Sequence, residues 1–231
     1  MDEIVRYPSN GGSSEGYLAT PAGAPGPGVI VIQEYWGLVP HIKEVADRFA
    51  EAGFVALAPD LYHGLYHGIQ TTEPDEAGKL IMGLAMDQAA KDIAGAAEHL
   101  AGLPEVHGRI GTVGFCAGGS LALWSATLSD KIVATEGFYP VLPWERMRPD
   151  WSDYAGKAAV IHASEEDGTS AAPGVQTAKK AIEAAGGEVA VFDYPGTQHA
   201  FFNDDRPEVY NRRASATAWA RTLELFRSRL V

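Results

Sequence analysis

The stretch Gly114-Phe115-Cys116-Ala117-Gly118-Gly119 holds the only cysteine of the 231-residue chain. An apolar run, Arg109-Ile110-Gly111-Thr112-Val113, precedes it, and Ser120-Leu121-Ala122-Leu123-Trp124-Ser125-Ala126 follows with the character of a helix. Strand, Gly-X-Cys-X-Gly and helix in this order describe a sharp turn that lifts one side chain out at the end of a sheet. Such a turn strains the backbone of its central residue, and neighbouring Cβ atoms would collide, which explains glycine at 114 and 118. The helix that opens there aims its N-terminal amides at Cys116, an arrangement that stabilises a thiolate and later an oxyanion. Taken alone, the hexapeptide fits a nucleophile and a packed core thiol equally well, since free cysteine is among the most buried residue types. The rest of the chain has to decide between them.

Composition limits the possibilities. The length suits one α/β domain, residues 1–231, with a full core. Hydrophobic residues at 46% and charged residues at 21% describe an ordinary soluble globule. With 30 acidic against 18 basic side chains the formal net charge is -12. That balance argues against nucleic acid or an anionic membrane as the main partner. One cysteine leaves no intramolecular disulfide and no multi-cysteine metal site. The acidic start Met1-Asp2-Glu3 lacks a leader-like apolar segment, and no run approaches the roughly 18 apolar residues of a membrane span. The expectation is a reducing cytoplasm, where a single thiol stays free to react.

Along the chain, strand and helix signals alternate. Residues 4–7 and 17–20 read as short strands separated by the Gly/Ser-rich turn 9–14, and 21–27 as a loop. Gly28-Val29-Ile30-Val31-Ile32 has the continuous apolar character of a strand buried on both faces. An amphipathic helix follows over 41–52, with Ile42, Val45, Ala46 and Phe49 on one side, and then a strand over 54–58. This spacing implies a right-handed parallel crossover. Residues 61–83 read as irregular, roofing the site with loops and short turns. A helix over 86–100 leads into the Cys116 strand and helix, a strand over 132–139 and an unpatterned segment over 140–153. Further strands over 157–162 and 188–194 flank a helix over 175–185, and a last helix carries the stripe from Val209 to Leu230. The pattern predicts a three-layer α/β sandwich with a mostly parallel central sheet flanked by helices.

In open sheets of this kind, reactive groups collect at the carboxyl ends of the strands. Three such loops carry candidates: Gln33-Glu34-Tyr35-Trp36-Gly37, Ser164-Glu165-Glu166-Asp167-Gly168, and Gly196-Thr197-Gln198-His199-Ala200-Phe201. The order nucleophile, acid, histidine is that of α/β-hydrolases, and it favours the reactive reading of Cys116. His199 would take the thiol proton and an acid would orient the imidazole. Asp167, Glu165, Glu166 and Asp193 all compete for the acid role. The other histidines have plainer readings: 41, 99 and 107 solvated, 162 structural. His63 and His67 lie four apart, but Gly64 and Gly68 break helices, so no metal site is expected there.

Gly-Phe-Cys-Ala-Gly-Gly, Gln-Glu-Tyr-Trp-Gly-Leu, Ala-Pro-Asp-Leu-Tyr, Glu-Glu-Asp-Gly and Gly-Thr-Gln-His-Ala-Phe, in this order and spacing, resemble the dienelactone hydrolase family from about Gly16 onward. The resemblance implies an α/β-hydrolase fold, a Cys116-His199-Asp167 triad and no cofactor. It also implies that Glu34 lies beside the thiol and helps control its ionisation, the two groups sharing a proton if Glu34 is buried. The oxyanion hole then falls to the backbone amides of Ala117 and Tyr35.

One departure bears on substrate. Family members that act on dienelactone hold its carboxylate with two arginines, and the matching places here read His63-Gly64 and Asn203. Arg206 is close enough in sequence to substitute. Trp36, Trp124 and Tyr139 point instead to a neutral, apolar or aromatic ester. The reading is a cysteine-dependent hydrolase of a lactone or carboxylic ester working through a thioester. The rivals are a promiscuous carboxylesterase with a non-lactone substrate and a catalytically silent scaffold that binds a small ligand.

Overall fold

The computed structural model describes residues 2–9, 11–23, 25–64, 73–142 and 144–231. Strand and helix alternate as β1 (Asp2–Ser9), β2 (Gly12–Ala19), β3 (Gly26–Ile32), α1 (Pro40–Glu51), β4 (Val55–Pro59), α2 (Pro74–Gly83) and α3 (Met86–Gly102). They continue through β5 (Val106–Phe115), α4 (Ala117–Ser125), β6 (Ile132–Phe138), β7 (Ala158–Ser164), α5 (Pro173–Ala184), β8 (Glu188–Tyr194) and α6 (Arg212–Leu230). The eight strands form one sheet in the order β1-β2-β4-β3-β5-β6-β7-β8, antiparallel at β1-β2 and β2-β4 and parallel elsewhere.

The sheet is central because its strands are apolar on both faces. Every residue of β3, β4 and β7 is buried. One face packs against α1 and α6 through Ile42, Phe49 and Phe226, the other against α3, α4 and α5 through Ile93, Leu121 and Ile182. Each such side chain contributes about 1.5–3 kcal/mol by leaving water. Helix α4 is buried along its whole length, which places the Cys116 turn at the centre of the molecule.

The chain departs from the sequence reading in several places. The Gly/Ser-rich segment is mostly strand: β1 and β2 pair from Asp2↔Ala19 to Ser9↔Gly12, with Ser9 and Ser14 buried and Ser9 Oγ donating to Asp92. Ladder pairing and a distant carboxylate override the local turn propensity of these small polar residues. Within the segment expected to be irregular, α2 is a regular helix opened by Pro74 at its first turn with Asp75 and Glu76 beside it, favourable helix-start chemistry. Residues 65–72, including His67, lie outside the described residues. Val209 precedes α6, which Asn211 caps by accepting from the Ala214 amide. His41 is fully buried, its Nδ1 against Asp204, and His99 stacks on Tyr7; only His107 of the three is exposed. His99 is half-buried, its ring on the face of α3.

No helix among the described residues is long and apolar enough to cross a membrane. The tightest backbone approach lies at the elbow: a Cβ on Gly118 would sit 2.2 Å from the Gln33 carbonyl oxygen, and one on Gly114 2.0 Å from that of Gly118. Gly118→Ala is therefore expected to destabilise the fold by about 3 kcal/mol or more. Gly78→Ala, within α2 and facing open space, is expected to stabilise it by roughly 0.5–1 kcal/mol. Chemical denaturation of the two variants should give opposite signs.

Candidate active site

Three strand ends converge on Cys116. It stands between β5 and α4 with φ 57 and ψ -124, a strained conformation for a residue bearing a Cβ. Its amide donates to the Phe138 carbonyl at the end of β6, 3.0 Å away, while the first turn of α4 presses on Ile32 and Gln33 at the end of β3. The strain is fixed from both sides. The first helical amides after Cys116 have no carbonyl one turn earlier to bond, so the Ala117 amide opens the helix at the thiol. The contact between Gly118 and Gln33 brings the 34–37 turn alongside. There Gly37 N donates to the Glu34 carbonyl and Tyr62 Oη fixes the Tyr35 carbonyl at 2.9 Å.

His199 Nδ1 lies 2.8 and 3.1 Å from the two Asp167 oxygens, and the ring is near enough to Cys116 for the two to influence each other's charge. Burial disfavours the charged imidazolium, but the bonds to Asp167 and Cys116 and their charges push its pKa up to about 10. Burial likewise opposes the Asp167 carboxylate, yet the His199 and Ser164 bonds hold its pKa below the usual range. Ser164 is fully buried and donates to Asp167 Oδ2 at 2.5 Å while accepting from the Asp167 amide. This residue escapes sequence reasoning because a serine at a strand end has many fates; its place three residues before the acid is the one local signal. The competing acids do other work: Asp193 binds Ser170, and the Glu165 and Glu166 carboxylates accept from backbone amides of the histidine loop.

Glu34 is buried, and neutral donors satisfy it: Tyr139 Oη at 3.2 Å and Asn203 Nδ2 at 2.7 Å. Asn203, at one of the places read for a missing arginine, thus faces Glu34. His63, at the other, binds the buried Asp92 at 2.7 Å. Burial and the nearby Glu34 and Cys116 charges raise the Tyr139 and Tyr35 phenols above their ordinary values.

The aromatic residues expected to meet substrate separate. Trp36 is half-buried, lies against Tyr35 with ring centroids 4.3 Å apart, and lines a cavity of about 350 Å³ with Val39, His41, Asn203 and Arg206. The cavity adjoins the thiol site through Tyr35 and Asn203, without Cys116 or His199 in its lining. Tyr139 is 1% exposed, with φ 36, and packs its ring edgewise on His199 at 5.0 Å. It supports Glu34 and the imidazole from below and does not face the cleft. Trp124 lies eight residues into the helix side of the elbow, about 12 Å along its axis, within the core cluster beneath α4. Neither is placed to touch substrate. Among the described residues no group of three or more His, Cys, Asp or Glu side chains is arranged to hold a metal ion.

Comparison with known proteins agrees with this geometry. The model of the dienelactone hydrolase family matches residues 14–230. The chain belongs to the dienelactone hydrolase family. It is 31% identical over 244 residues to a "Putative carboxymethylenebutenolidase" of Aquifex aeolicus, all of both chains being covered. It is 36% identical over 238 residues to "Protein usf" of Aquifex pyrophilus, again over the whole of both. A solved structure from Klebsiella pneumoniae, described as that of a "Putative Dienelactone Hydrolase", superposes with a TM-score of 0.85 at 26% identity, over 98% of each chain. Membership makes this protein a hydrolase of ester or lactone bonds.

The His199 titration tests the site directly. Because its folded value lies above the ordinary ~6.5, pairing stabilises the native state fully below ~6.5, and that contribution is lost as pH rises through about 10. In Asp167→Asn, the His199 imidazole proton resonance should titrate well below about 10, and the alkaline fall in stability should flatten.

Proposed function

We propose that the protein hydrolyses esters or lactones through a Cys116 thioester, with a resting pair of Cys116 thiolate and His199 imidazolium. The observation that carries this reading is a strained, half-exposed cysteine at a helix start beside a histidine whose Nδ1 an aspartate holds. An adjacent imidazolium and a helix N-terminus both favour the thiolate, the form that attacks. Sγ adds to the acyl carbon, and negative charge collects on the former carbonyl oxygen, where the Ala117 and Tyr35 amides receive it. The carbon–oxygen bond then breaks, and His199 gives its proton to the departing alkoxide. Neutral His199 next takes a proton from water, which attacks the thioester; the acid leaves and the thiolate regains its imidazolium partner.

The substrate we propose is a neutral ester or lactone with an apolar or aromatic group seated against Trp36. Both places read for carboxylate-binding arginines carry side chains already engaged, Asn203 on Glu34 and His63 on Asp92, while Arg206 is ion-paired with Glu208 at 2.9 Å. Buried Glu34 rests between the neutral donors Tyr139 and Asn203, so no cation screens its carboxylate from the thiol.

Wild type and Cys116→Ala should be compared on a panel of neutral and carboxylate-bearing aryl esters and lactones. Turnover of the neutral members is expected to fall by about a thousandfold or more in the variant. Mass spectrometry of the quenched wild type should find the acyl group on Cys116. Turnover that survives the substitution would refute the thioester mechanism. A preference for the anionic members would refute the substrate assignment alone. For Glu34→Gln, the pH profile of thiol alkylation is expected to move; an unchanged profile would make Glu34 a purely structural group.

A further inference from the structure

We propose that Glu166 is a positioning residue for His199, acting on its main-chain amide and not on its ring, within a reciprocal clasp between the acid loop and the histidine loop. The inference rests on the reading of Cys116 and His199 as the working pair.

Three acids stand in a row at 165–167, and each meets the histidine loop at a different atom. Glu165 accepts from the Gly196 amide, Glu166 Oε2 accepts from the His199 amide at 2.7 Å, and Asp167 takes the His199 ring. Bonds also run in the other direction. The Glu165 amide donates to Thr197 Oγ1 at 3.4 Å and the Glu166 amide to the Thr197 carbonyl at 3.2 Å. Thr197 is 3% exposed, and its hydroxyl donates to the Tyr194 carbonyl at 2.6 Å, so the clasp is anchored at the end of β8.

The histidine loop needs this restraint because the residue after His199 is strained. Ala200 has φ 66, a left-handed conformation that a residue with a Cβ avoids, and relaxing it would rotate the 199–200 peptide and swing the imidazole. Asp167 fixes the ring's orientation but leaves that backbone free to turn about it. A carboxylate on the His199 amide opposes the rotation, and a bond from a charged acceptor to a backbone N–H is stronger than a neutral one. Displacement of a catalytic group by about 1 Å is enough to cost about a hundredfold in rate. Glu166 is solvent-exposed, so its loss should cost little stability. That separates a positioning role from a folding one.

Glu166→Ala and Glu166→Gln are compared in the full-length protein by kcat and KM on a neutral aryl ester, by the pH dependence of Cys116 alkylation with iodoacetamide, and by thermal unfolding. The alkylation midpoint belongs to the Cys116–His199 pair and requires no substrate. The alanine variant is expected to lose about tenfold in kcat with KM unchanged, and to shift the alkylation midpoint upward at an unchanged melting temperature. Glutamine, whose amide oxygen still accepts from the backbone, is expected to restore kcat to within about twofold. An alanine variant equal to wild type in kcat and alkylation overturns the proposal. So does a glutamine variant as impaired as alanine. If Cys116→Ala retains full turnover, the thioester reading fails instead, and the alkylation profile still decides whether Glu166 places the imidazole.

Discussion

The close backbone contact at the elbow is the constraint on which the rest of the structure depends. Gly118 meets the carbonyls of Ile32 and Gln33, Gly119 meets that of Phe138, and Gly114 meets Gly118. Three neighbouring strand ends, β3, β5 and β6, are thereby drawn together around one residue. Cys116 has little freedom left: its amide is held by Phe138 and its carbonyl begins α4 by accepting from Gly119 and Ser120. The positive φ of Cys116 is a result of this packing, and the surrounding core stabilises it. Phe138, which supplies the carbonyl, is itself enclosed by Phe115, Phe202 and His162. Among the described residues, two of the other four non-glycine residues with positive φ, Tyr139 and Ala200, flank the same site. Strain collects where the strand ends are forced closest, and the candidate nucleophile is presented there.

Electrostatics act on this scaffold in an unusual balance. The histidine is surrounded by acids, with Asp167 on its ring and Glu166 on its amide, in a chain whose formal net charge is -12. Burial works against the imidazolium, yet its pKa rises because each partner, thiol and carboxylate, favours the protonated ring. Glu34 could have disturbed this arrangement, being a buried carboxylate near the thiol. Its two hydrogen bonds from Asn203 and Tyr139 lower the cost of keeping it there. A guanidinium in place of Asn203 would neutralise Glu34 outright. The neutral amide satisfies the carboxylate and leaves the charge in place.

Much of this was legible in the sequence because it is local. Strand β8 has the boundaries that its apolar run predicts, α1 follows its stripe of Ile42, Val45, Ala46 and Phe49, and the Gly-X-Cys-X-Gly turn sits where strand changes to helix. The histidine and acid loops were legible because reactive groups can only gather at one edge of a parallel sheet. What the sequence concealed depends on partners far along the chain. The Gly/Ser-rich segment is strand because β1 and β2 pair through it. His41 is buried because Asp204, 163 positions away, meets its Nδ1. Tyr139 and Trp124 have the composition of a substrate cleft, but a positive φ turns one beneath the imidazole and the helix axis carries the other into the core. Glu165 and Glu166 look like candidate acids by type. Only the fold shows that their carboxylates face amides.

Below the acid and histidine loops a chain of hydrogen bonds distinguishes His162, also at a strand end, from His199. A carboxylate only accepts, so His162 Nε2 donates to Glu136 at 2.6 Å, which Thr222 also meets at 2.9 Å. Its Nδ1 lies 2.7 Å from Tyr194 Oη, and the phenol oxygen accepts from Arg221 at 3.0 Å. Arg221, Tyr194, His162 and Glu136 thus form one hydrogen-bonded chain, and such chains strengthen each member. His162 has both nitrogens committed and no exposed surface, whereas His199 has Nδ1 on an acid and its ring at the solvent edge near Cys116. The same residue type, carried on β7 in one case and just after the adjacent β8 in the other, is enclosed in one place and accessible in the other. The main chain links the two, since the Tyr194 carbonyl holds Thr197 and the His162 carbonyl accepts from the Tyr139 amide. A fully bonded histidine beneath the site thus supports the loops that hold the second one in place.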